Sequence, residues 1–225
     1  MKQIIKLFRD LFVDKYFTKI YSQDGEDLLA LRFFSSMQSG FYLDIGAHHP
    51  KRFSNTYLLY KKGWRGINID AMPGSMIPFN LYRPKDINIE IAIGKNEETK
   101  TFFIFNEPAL NTFDANLAIE RTKNPAYKIV QKAEIKICPL TKILKQYLPA
   151  NQKIDFLTID VEGLDLEILK TNDWVTYRPT LVCVEIYAES INDVLKSDLN
   201  NFLSMNKYEF IYRAGNSCFF KATSL

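Results

Sequence analysis

The stretch FYLDIGAHHP, residues Phe41 to Pro50, decides the fold because it reads as a buried strand that breaks into a binding turn. A short apolar run of this kind is typical of a parallel strand covered on both faces. Asp44 near its end is followed by Gly46, which permits close backbone approach, and by the small Ala47. Ligands bind at the carboxyl ends of such strands in open α/β sheets. The stretch therefore predicts a cofactor turn at the edge of a parallel sheet.

A second strand with the same ending follows at Arg65 to Asp70 (RGINID). In nucleotide-binding α/β folds an acid at this place accepts hydrogen bonds from ribose hydroxyls. The first turn lacks the glycines of the G-x-G-x-x-G dinucleotide fingerprint, because His48 and His49 stand there instead. S-adenosylmethionine has no pyrophosphate to cradle, and its cationic amino-acid half suits an acidic strand end. Asp44 and Asp70 together therefore predict an adenosyl cofactor of this kind.

Two later apolar runs also end at or near an acid, Ile154 to Asp160 and Thr180 to Ile186, which contains Glu185. Because the carboxyl ends of parallel strands share one edge of a sheet, we expect the four acids to converge there. A single acid at a strand end is commonly a helix cap, and that alternative stays open for each one. Four together favour a binding site.

Further apolar runs alternate with helical patterns, which is the order of a parallel, doubly wound sheet. The sequence predicts a third strand over Ile87 to Ile93 and a long, polar, irregular loop over Pro108 to Pro125. A terminal hairpin joins Tyr208 to Tyr212 with Ser217 to Lys221. The predicted helices are Glu26 to Gln38, Ser54 to Lys62, Leu140 to Leu148, Leu164 to Lys170 and Ser190 to Met205.

The composition fits one large domain with a substantial core, since 47% of the 225 residues are hydrophobic. The net charge of +3 is spread along the chain without a clustered basic footprint, so we expect no nucleic-acid partner. Cys138, Cys183 and Cys218 stand far apart in no C-x-x-C pair, which indicates reduced core residues of a cytoplasmic protein. No run approaches the length of a membrane span.

Residues 1–20 are predicted to form an amphipathic helical extension of a domain that comprises residues 21–225. Apolar and basic side chains recur at helical spacing over residues 1–17. Such a helix can contact a membrane surface, but the segment holds only four basic residues and two acids. Packing on the domain itself or on a partner subunit is therefore favoured.

The polar turn YSQDGED at residues 21–27 leads into the first predicted helix. Ser22 or Asp24 fits the role of a helix cap. Capping accounts for one of these residues but not for the whole polar cluster. Gln23 and Glu26 are therefore further candidates for ligand binding.

Six blocks stand in a fixed order: YSQDGED at 21–27, FYLDIGAHHP at 41–50, SNT at 54–56, GWRGINIDAMP at 63–73, IAIG at 91–94 and DFLTIDVEG at 155–163. Together they resemble the FkbM-type S-adenosylmethionine-dependent methyltransferases, over about residues 21–187. The resemblance implies an α/β, Rossmann-like class I methyltransferase fold. Its mostly parallel seven-stranded sheet would carry helices on both faces and end in a C-terminal antiparallel hairpin.

The resemblance also implies an activity and a set of sites. Methyl transfer would run from S-adenosylmethionine to a hydroxyl oxygen of a sugar or a related small-molecule or glycan acceptor. VEIY at 184–187 departs from members that carry a His shortly after the acid. By position, Asp160 and Glu162 would face the acceptor, and the cofactor-binding residues would be Gln23, Glu26, Asp44, Gly46, Ala47, Asn55, Asp70 and Ala71.

Two mechanisms stay open for removing the acceptor's proton. His48 or His49 would serve as general base, since an imidazole titrates near neutrality. Alternatively Asp160, Glu162 and Glu185 would hold a divalent cation, magnesium or manganese, that lowers the pKa of the acceptor hydroxyl. A different class also stays open, in which the chain is a non-catalytic adenosyl-binding module or an assembly protein of a surface-polysaccharide pathway. The oligomeric state is left open as well.

Overall fold

The computed structural model describes residues 18–107, 110–161 and 163–223, and the strands and helices below are those of this part of the chain. The strands are β1 (Phe41–Ile45), β2 (Arg65–Asp70), β3 (Ile87–Glu90), β4 (Ala92–Ile93), β5 (Glu98–Phe105), β6 (Ile129–Cys138), β7 (Phe156–Ile159), β8 (Leu181–Glu185), β9 (Tyr208–Ala214) and β10 (Ser217–Ala222). The helices are α1 (Glu26–Phe33), α2 (Tyr57–Lys61), α3 (Met76–Tyr82), α4 (Ala115–Arg121), α5 (Leu140–Tyr147), α6 (Asp165–Leu169), α7 (Ile191–Lys196) and α8 (Asp198–Met205).

One seven-stranded sheet organises the described residues, in the order β3-β2-β1-β7-β8-β10-β9. The first five strands of this order run parallel to one another, and β10 is antiparallel to both β8 and β9. The predicted mostly parallel sheet with its C-terminal antiparallel hairpin is confirmed. Strand β1 lies at the centre, between β2 and β7.

Both faces of the central strand are covered, as its uninterrupted apolar sequence predicts. Phe41, Leu43 and Ile45 pack into a cluster that contains residues of α5, α6, α7 and α8. Tyr42 points the other way, into a cluster with residues of α1 and α2. Because every β1 side chain is buried, a shift of register by one residue would bring Asp44 into the larger apolar cluster.

A second, three-stranded sheet has the order β4-β6-β5. It corrects the prediction of one strand over Ile87 to Ile93, because the chain leaves the main sheet after Glu90. The amide of Ile91 still donates to the Asp70 carbonyl, at 3.0 Å, and the next two residues pair with β6 instead. The break therefore carries the chain from the large sheet to the small one.

Three other element predictions were wrong in extent. The first helix ends at Phe33, short of Gln38. The predicted helix over Ser190 to Met205 is two helices, because Ser197 is extended and its side chain accepts from the Asn200 amide to begin α8. The predicted irregular loop contains α4, capped by the carboxylate of Asp114.

The three cysteines are buried and free, as predicted. Among the described residues, no helix has the length and apolar character needed to cross a bilayer. The predicted amphipathic helix of residues 1–17 and the candidate Glu162 lie outside the described residues.

Candidate functional site

The four strand-end acids of the sequence prediction lie at one edge of the sheet. Asp44 is the penultimate residue of β1, Asp70 ends β2, Asp160 follows β7 and Glu185 ends β8. These four strands are parallel neighbours, so their carboxyl ends share that edge. This is the edge at which open α/β sheets bind ligands.

The turn after β1 depends on Gly46, whose φ is +76°. The amides of Gly46 and Ala47 donate to the carbonyl of Ile69, at 2.9 and 3.1 Å. On the other side the amide of Asp160 donates to the Ile45 carbonyl, at 3.0 Å. A Cβ at position 46 would stand 1.8 Å from the Asp160 carbonyl oxygen, so only glycine fits between the two neighbouring strands.

A polar cleft of about 470 Å³ opens beside this turn, and we call it the acidic cleft. Four carboxylic acids and no Lys, Arg or His are among the described residues that line it. The lining is Gln23, Asp24, Glu26, Phe53, Asn55, Ile159, Asp160, Cys183, Glu185, Asn216 and Ser217.

Five of the predicted site residues are thus brought together: Gln23, Glu26, Asn55, Asp160 and Glu185. Glu26 is buried, and its Oε1 accepts from the Ser217 hydroxyl at 2.9 Å, while its Oε2 accepts from the Asp24 amide at 2.8 Å. The amide nitrogen of Asn55 donates to the Thr158 hydroxyl at 3.0 Å. These bonds fix the rotamers of two polar groups that face the cleft.

Asp44 is not among the residues that line the acidic cleft, because its side chain is buried. Its Oδ2 accepts from the Thr56 hydroxyl at 2.5 Å. Burial raises the pKa of the Asp44 carboxyl to about 6, against the nearby positive charge of Arg83, which lowers it. Asp44 therefore acts on the site through the segment that Thr56 belongs to.

Arg83 is the largest charged group in the interior, and nothing in the sequence singled it out. It follows α3 and is fully buried. Its guanidinium donates to four uncharged acceptors: the Pro50 carbonyl at 2.6 and 2.9 Å, Ser54 Oγ at 2.6 Å, Thr56 Oγ1 at 2.7 Å and Asn68 Oδ1 at 3.2 Å. Arg83 thus ties both ends of the segment 50–56, which carries Phe53 and Asn55 into the cleft.

Asp70 and Ala71 lie on the other side of the Gly46 turn, outside the lining of the acidic cleft. The two carboxylate oxygens of Asp70 accept from the amides of His48 and Met72, each at 2.8 Å. Asp70 is only partly buried, so both oxygens keep lone pairs for a further donor. Ala71 packs against the core of the small sheet.

Both histidines already have hydrogen-bonding neighbours: His49 bonds with backbone amides, and His48 lies beside an arginine side chain. Nδ1 of His49 accepts from the amides of Lys51 and Arg52, at 3.0 and 2.9 Å. The neutral ring then carries its proton on Nε2, and burial together with the Arg52 charge lowers the pKa of His49. The exposed His48 has its Nε2 3.2 Å from the guanidinium of Arg52. Neither histidine lines the acidic cleft.

A divalent cation would need several hard ligands in one place. Among the described residues, no group of three or more His, Cys, Asp or Glu is placed to hold a metal ion. Asp160 and Glu185 therefore do not make a magnesium or manganese site by themselves, and Glu162 is not described.

Phe53 is a further cleft residue that the sequence did not reveal. Its φ is +56°, in the left-handed region that non-glycine residues avoid, and its side chain is 54% exposed. Strain of this kind gathers at functional sites. The sequence offers one weak indication of this role. Phe53 is an apolar residue in the loop KRFSN, and it has no periodic apolar partner that would place it in a core.

Comparison with known proteins gives one family and one informative fold. The family model described as methyltransferase FkbM domain matches residues 44–212. The crystal structure of methyltransferase FkbM from Methylobacillus flagellatus KT superposes with a TM-score of 0.53 at 15% identity, covering 89% of this chain and 48% of that one. The present chain thus spans about half the length of that protein. The similarity shows the fold alone.

A TehB-like S-adenosylmethionine-dependent methyltransferase from Corynebacterium glutamicum matches with a TM-score of 0.43 at 10% identity, covering 99% of this chain and 96% of that one. A search of curated proteins finds no match.

Proposed function

The chain belongs to the FkbM methyltransferase domain family. From that premise we propose that it transfers a methyl group from S-adenosylmethionine to a hydroxyl oxygen of a sugar or a related small-molecule or glycan acceptor. The observation that carries the proposal is the acidic cleft, where four acids and no basic side chain among the described residues line the space beside the Gly46 turn. A sulfonium and an ammonium group suit such a lining, whereas a phosphate chain does not.

The cofactor would lie across the carboxyl edge of the sheet. Its ribose would lie at Asp70 and Ala71, and its amino-acid half at the Gly46 and Ala47 turn. Asn55, Gln23 and Glu26 would face the same half from the other wall of the cleft. Asp44 would contribute from below, through Thr56, by fixing the segment that carries Asn55.

S-adenosylmethionine supplies an electrophilic methyl carbon, whose bond to sulfur breaks as the acceptor oxygen bonds to it, leaving the electron pair on sulfur. The chain must align the acceptor and take the hydroxyl proton. We assign the proton to the carboxylate of Glu185, which ends β8 inside the cleft. Asp160, which follows the neighbouring strand β7, would face the transferred methyl group.

The assignment to Glu185 competes with the prediction that His48 or His49 is the base. Nδ1 of His49, the ring nitrogen that must lack a proton in the neutral ring, already accepts two backbone amides. The Glu185 carboxylate accepts from the Tyr187 hydroxyl at 2.8 Å, but its two oxygens offer about four acceptor sites, so it can also accept from a substrate hydroxyl. For His49, replacement by asparagine separates a role as base from a role in the turn.

Calorimetry with S-adenosylmethionine and S-adenosylhomocysteine tests cofactor binding, and transfer of a labelled methyl group to a panel of glycans tests turnover. Binding of both compounds with transfer to at least one glycan is expected. Glu185→Gln should retain binding and lose transfer, while the exposed Glu189→Gln should change neither. Absence of binding would refute the proposal. Binding without transfer to any acceptor would instead support the alternative of a non-catalytic module.

A further inference from the structure

A second depression of about 540 Å³ adjoins the acidic cleft, and we call it the side groove. It lies between the segment that begins α6 and the junction of α7 with α8. Glu185 lines both depressions, so the side groove adjoins the proposed site of methyl transfer. Its lining residues are Gly163, Asp165, Leu166, Glu185, Ile186, Tyr187, Ser197, Asp198 and Leu199.

Asp165 is the most unusual residue of the side groove. Its relative exposure is only 3%, and among the described residues its Oδ1 has no hydrogen-bond partner. Burial raises the pKa of the Asp165 carboxyl to about 6, although backbone amides of Asp165 and Val161 favour its charged form. A buried oxygen without a donor costs free energy that a ligand hydroxyl or ammonium group would recover.

The rest of the lining combines apolar and acidic surface. Leu166, Ile186 and Leu199 supply apolar side chains, and the exposed ring of Tyr187 stands at the rim with its hydroxyl donating to Glu185 at 2.8 Å. Sugar rings bind to surfaces of this mixed kind, because their C–H faces pack on apolar and aromatic groups while their hydroxyls donate to carboxylates.

The charges of the side groove have one sign. Asp165, Glu185 and Asp198 are acids, and the described lining contains no Lys, Arg or His. A ligand that carries a phosphate or carboxylate near the reacting hydroxyl would meet uncompensated repulsion. A neutral sugar ring would meet no such repulsion, and the carboxylates would attract a ring that carries an amine.

We propose that the side groove seats the methyl acceptor, and that its carboxylates admit neutral or amine-bearing sugar rings and reject anionic ones. This rests on the proposed methyltransferase function and adds to it the place and the charge class of the acceptor. Glu185 then lies where the two depressions meet, beside the acceptor hydroxyl whose proton it takes, and Asp165 accepts from a hydroxyl or ammonium group of the bound ring.

Three matched probes test the charge rule: methyl glucoside, methyl glucosaminide and methyl glucuronide. Saturation-transfer NMR on the protein loaded with S-adenosylhomocysteine should show signals from the glucoside and the glucosaminide. The glucuronide signal should be about tenfold weaker or absent. Equal signals from all three, or none from any, would overturn the proposal. Failure of S-adenosylhomocysteine to bind would instead refute the proposed function.

Two variants, with one control, test whether the acceptor binds in the side groove. Leu199→Trp fills the side groove and should abolish the sugar signals without changing affinity for S-adenosylhomocysteine. Asp198→Lys, at an exposed position, should give the glucuronide a signal, whereas Glu209→Lys, which makes the same charge change on exposed β9, should not. Sugar signals that persist in Leu199→Trp, or that respond equally to the two lysine variants, would contradict the assigned location.

Discussion

Gly46 lies so close to Asp160 that a Cβ on the first would stand 1.8 Å from the carbonyl oxygen of the second. Gly46→Ala must therefore move two central strands apart as well as force an L-residue to a φ of +76°. We expect a loss of about 3 kcal/mol or more in the free energy of unfolding, measured with urea, and loss of binding to S-adenosylhomocysteine. Gly63→Ala is the matched control, since its φ is +99° but no atom lies within 4 Å of its Cβ position. The control should lose only about 1 to 2 kcal/mol.

Arg83→Met should be among the most destabilising single changes in the protein. It leaves the Pro50 carbonyl, Ser54 and Thr56 without their buried donor. We expect a loss of about 3 to 5 kcal/mol in urea unfolding. The same truncation at the exposed Arg32 should stay within about 0.5 kcal/mol. If the two variants unfolded at the same urea concentration, the network would have no energetic role.

Asp44 makes the stability depend on pH. Its folded pKa of about 6 is raised from 3.8, so the folded state holds a proton that the unfolded chain releases between those values. Asp44 thereby contributes about 3 kcal/mol to the free energy of unfolding. This contribution is fully present below about pH 4 and is lost as the pH rises through 6. Asp44→Asn should flatten the slope of unfolding free energy between pH 4.5 and 7, whereas the exposed Glu209→Gln should leave it unchanged. An unaltered slope in Asp44→Asn would contradict the prediction.

We expect Phe53 to lower the stability of the fold while it strengthens cofactor binding. Phe53→Gly relieves the backbone strain at φ +56° and should raise the free energy of unfolding by about 1 kcal/mol. It also removes an exposed ring from the acidic cleft and should weaken S-adenosylhomocysteine binding by about tenfold. Phe53→Ala removes the ring but keeps the strain, so it should weaken binding without the gain in stability. A variant that bound as well as the parent would exclude the ring from the site.

His49 can be tested as a base against its role in the turn. An asparagine places a side-chain oxygen near the position of Nδ1 and can accept from the amides of Lys51 and Arg52. His49→Asn should therefore keep both cofactor binding and methyl transfer, while His49→Ala should weaken binding. Loss of transfer in His49→Asn with intact binding would favour the base instead.

The sheet edge was predictable because it follows from local patterns. Short apolar runs that end at or near Asp70, Asp160 and Glu185 identify parallel strands, and parallel strands place their ends together. Gly46 was recognisable for the same reason, since an acid and a glycine at a strand end suit a ligand turn. The strands of the terminal hairpin were also placed correctly from their apolar runs.

The features that the sequence did not predict depend on contacts between residues that are distant in the chain. Arg83 looks like an ordinary basic residue in LYRPKD, and only the fold shows that it reaches Pro50 and Thr56. The break at Ile91 was hidden because the chain stays apolar while it passes from one sheet to the other. Ser197 lies within a helical pattern, yet its capping bond to Asn200 ends one helix and starts the next.

The hydrogen bond from Ser217 to Glu26 joins residues that are 191 positions apart. Ser217 and its neighbour Asn216 form one wall of the acidic cleft, and Gln23 and Glu26 form another. During synthesis on the ribosome the wall formed by Gln23 and Glu26 emerges first, and Asn216 and Ser217 join it only after most of the described chain has been made. The acidic cleft is therefore completed only once both of these segments have left the ribosome.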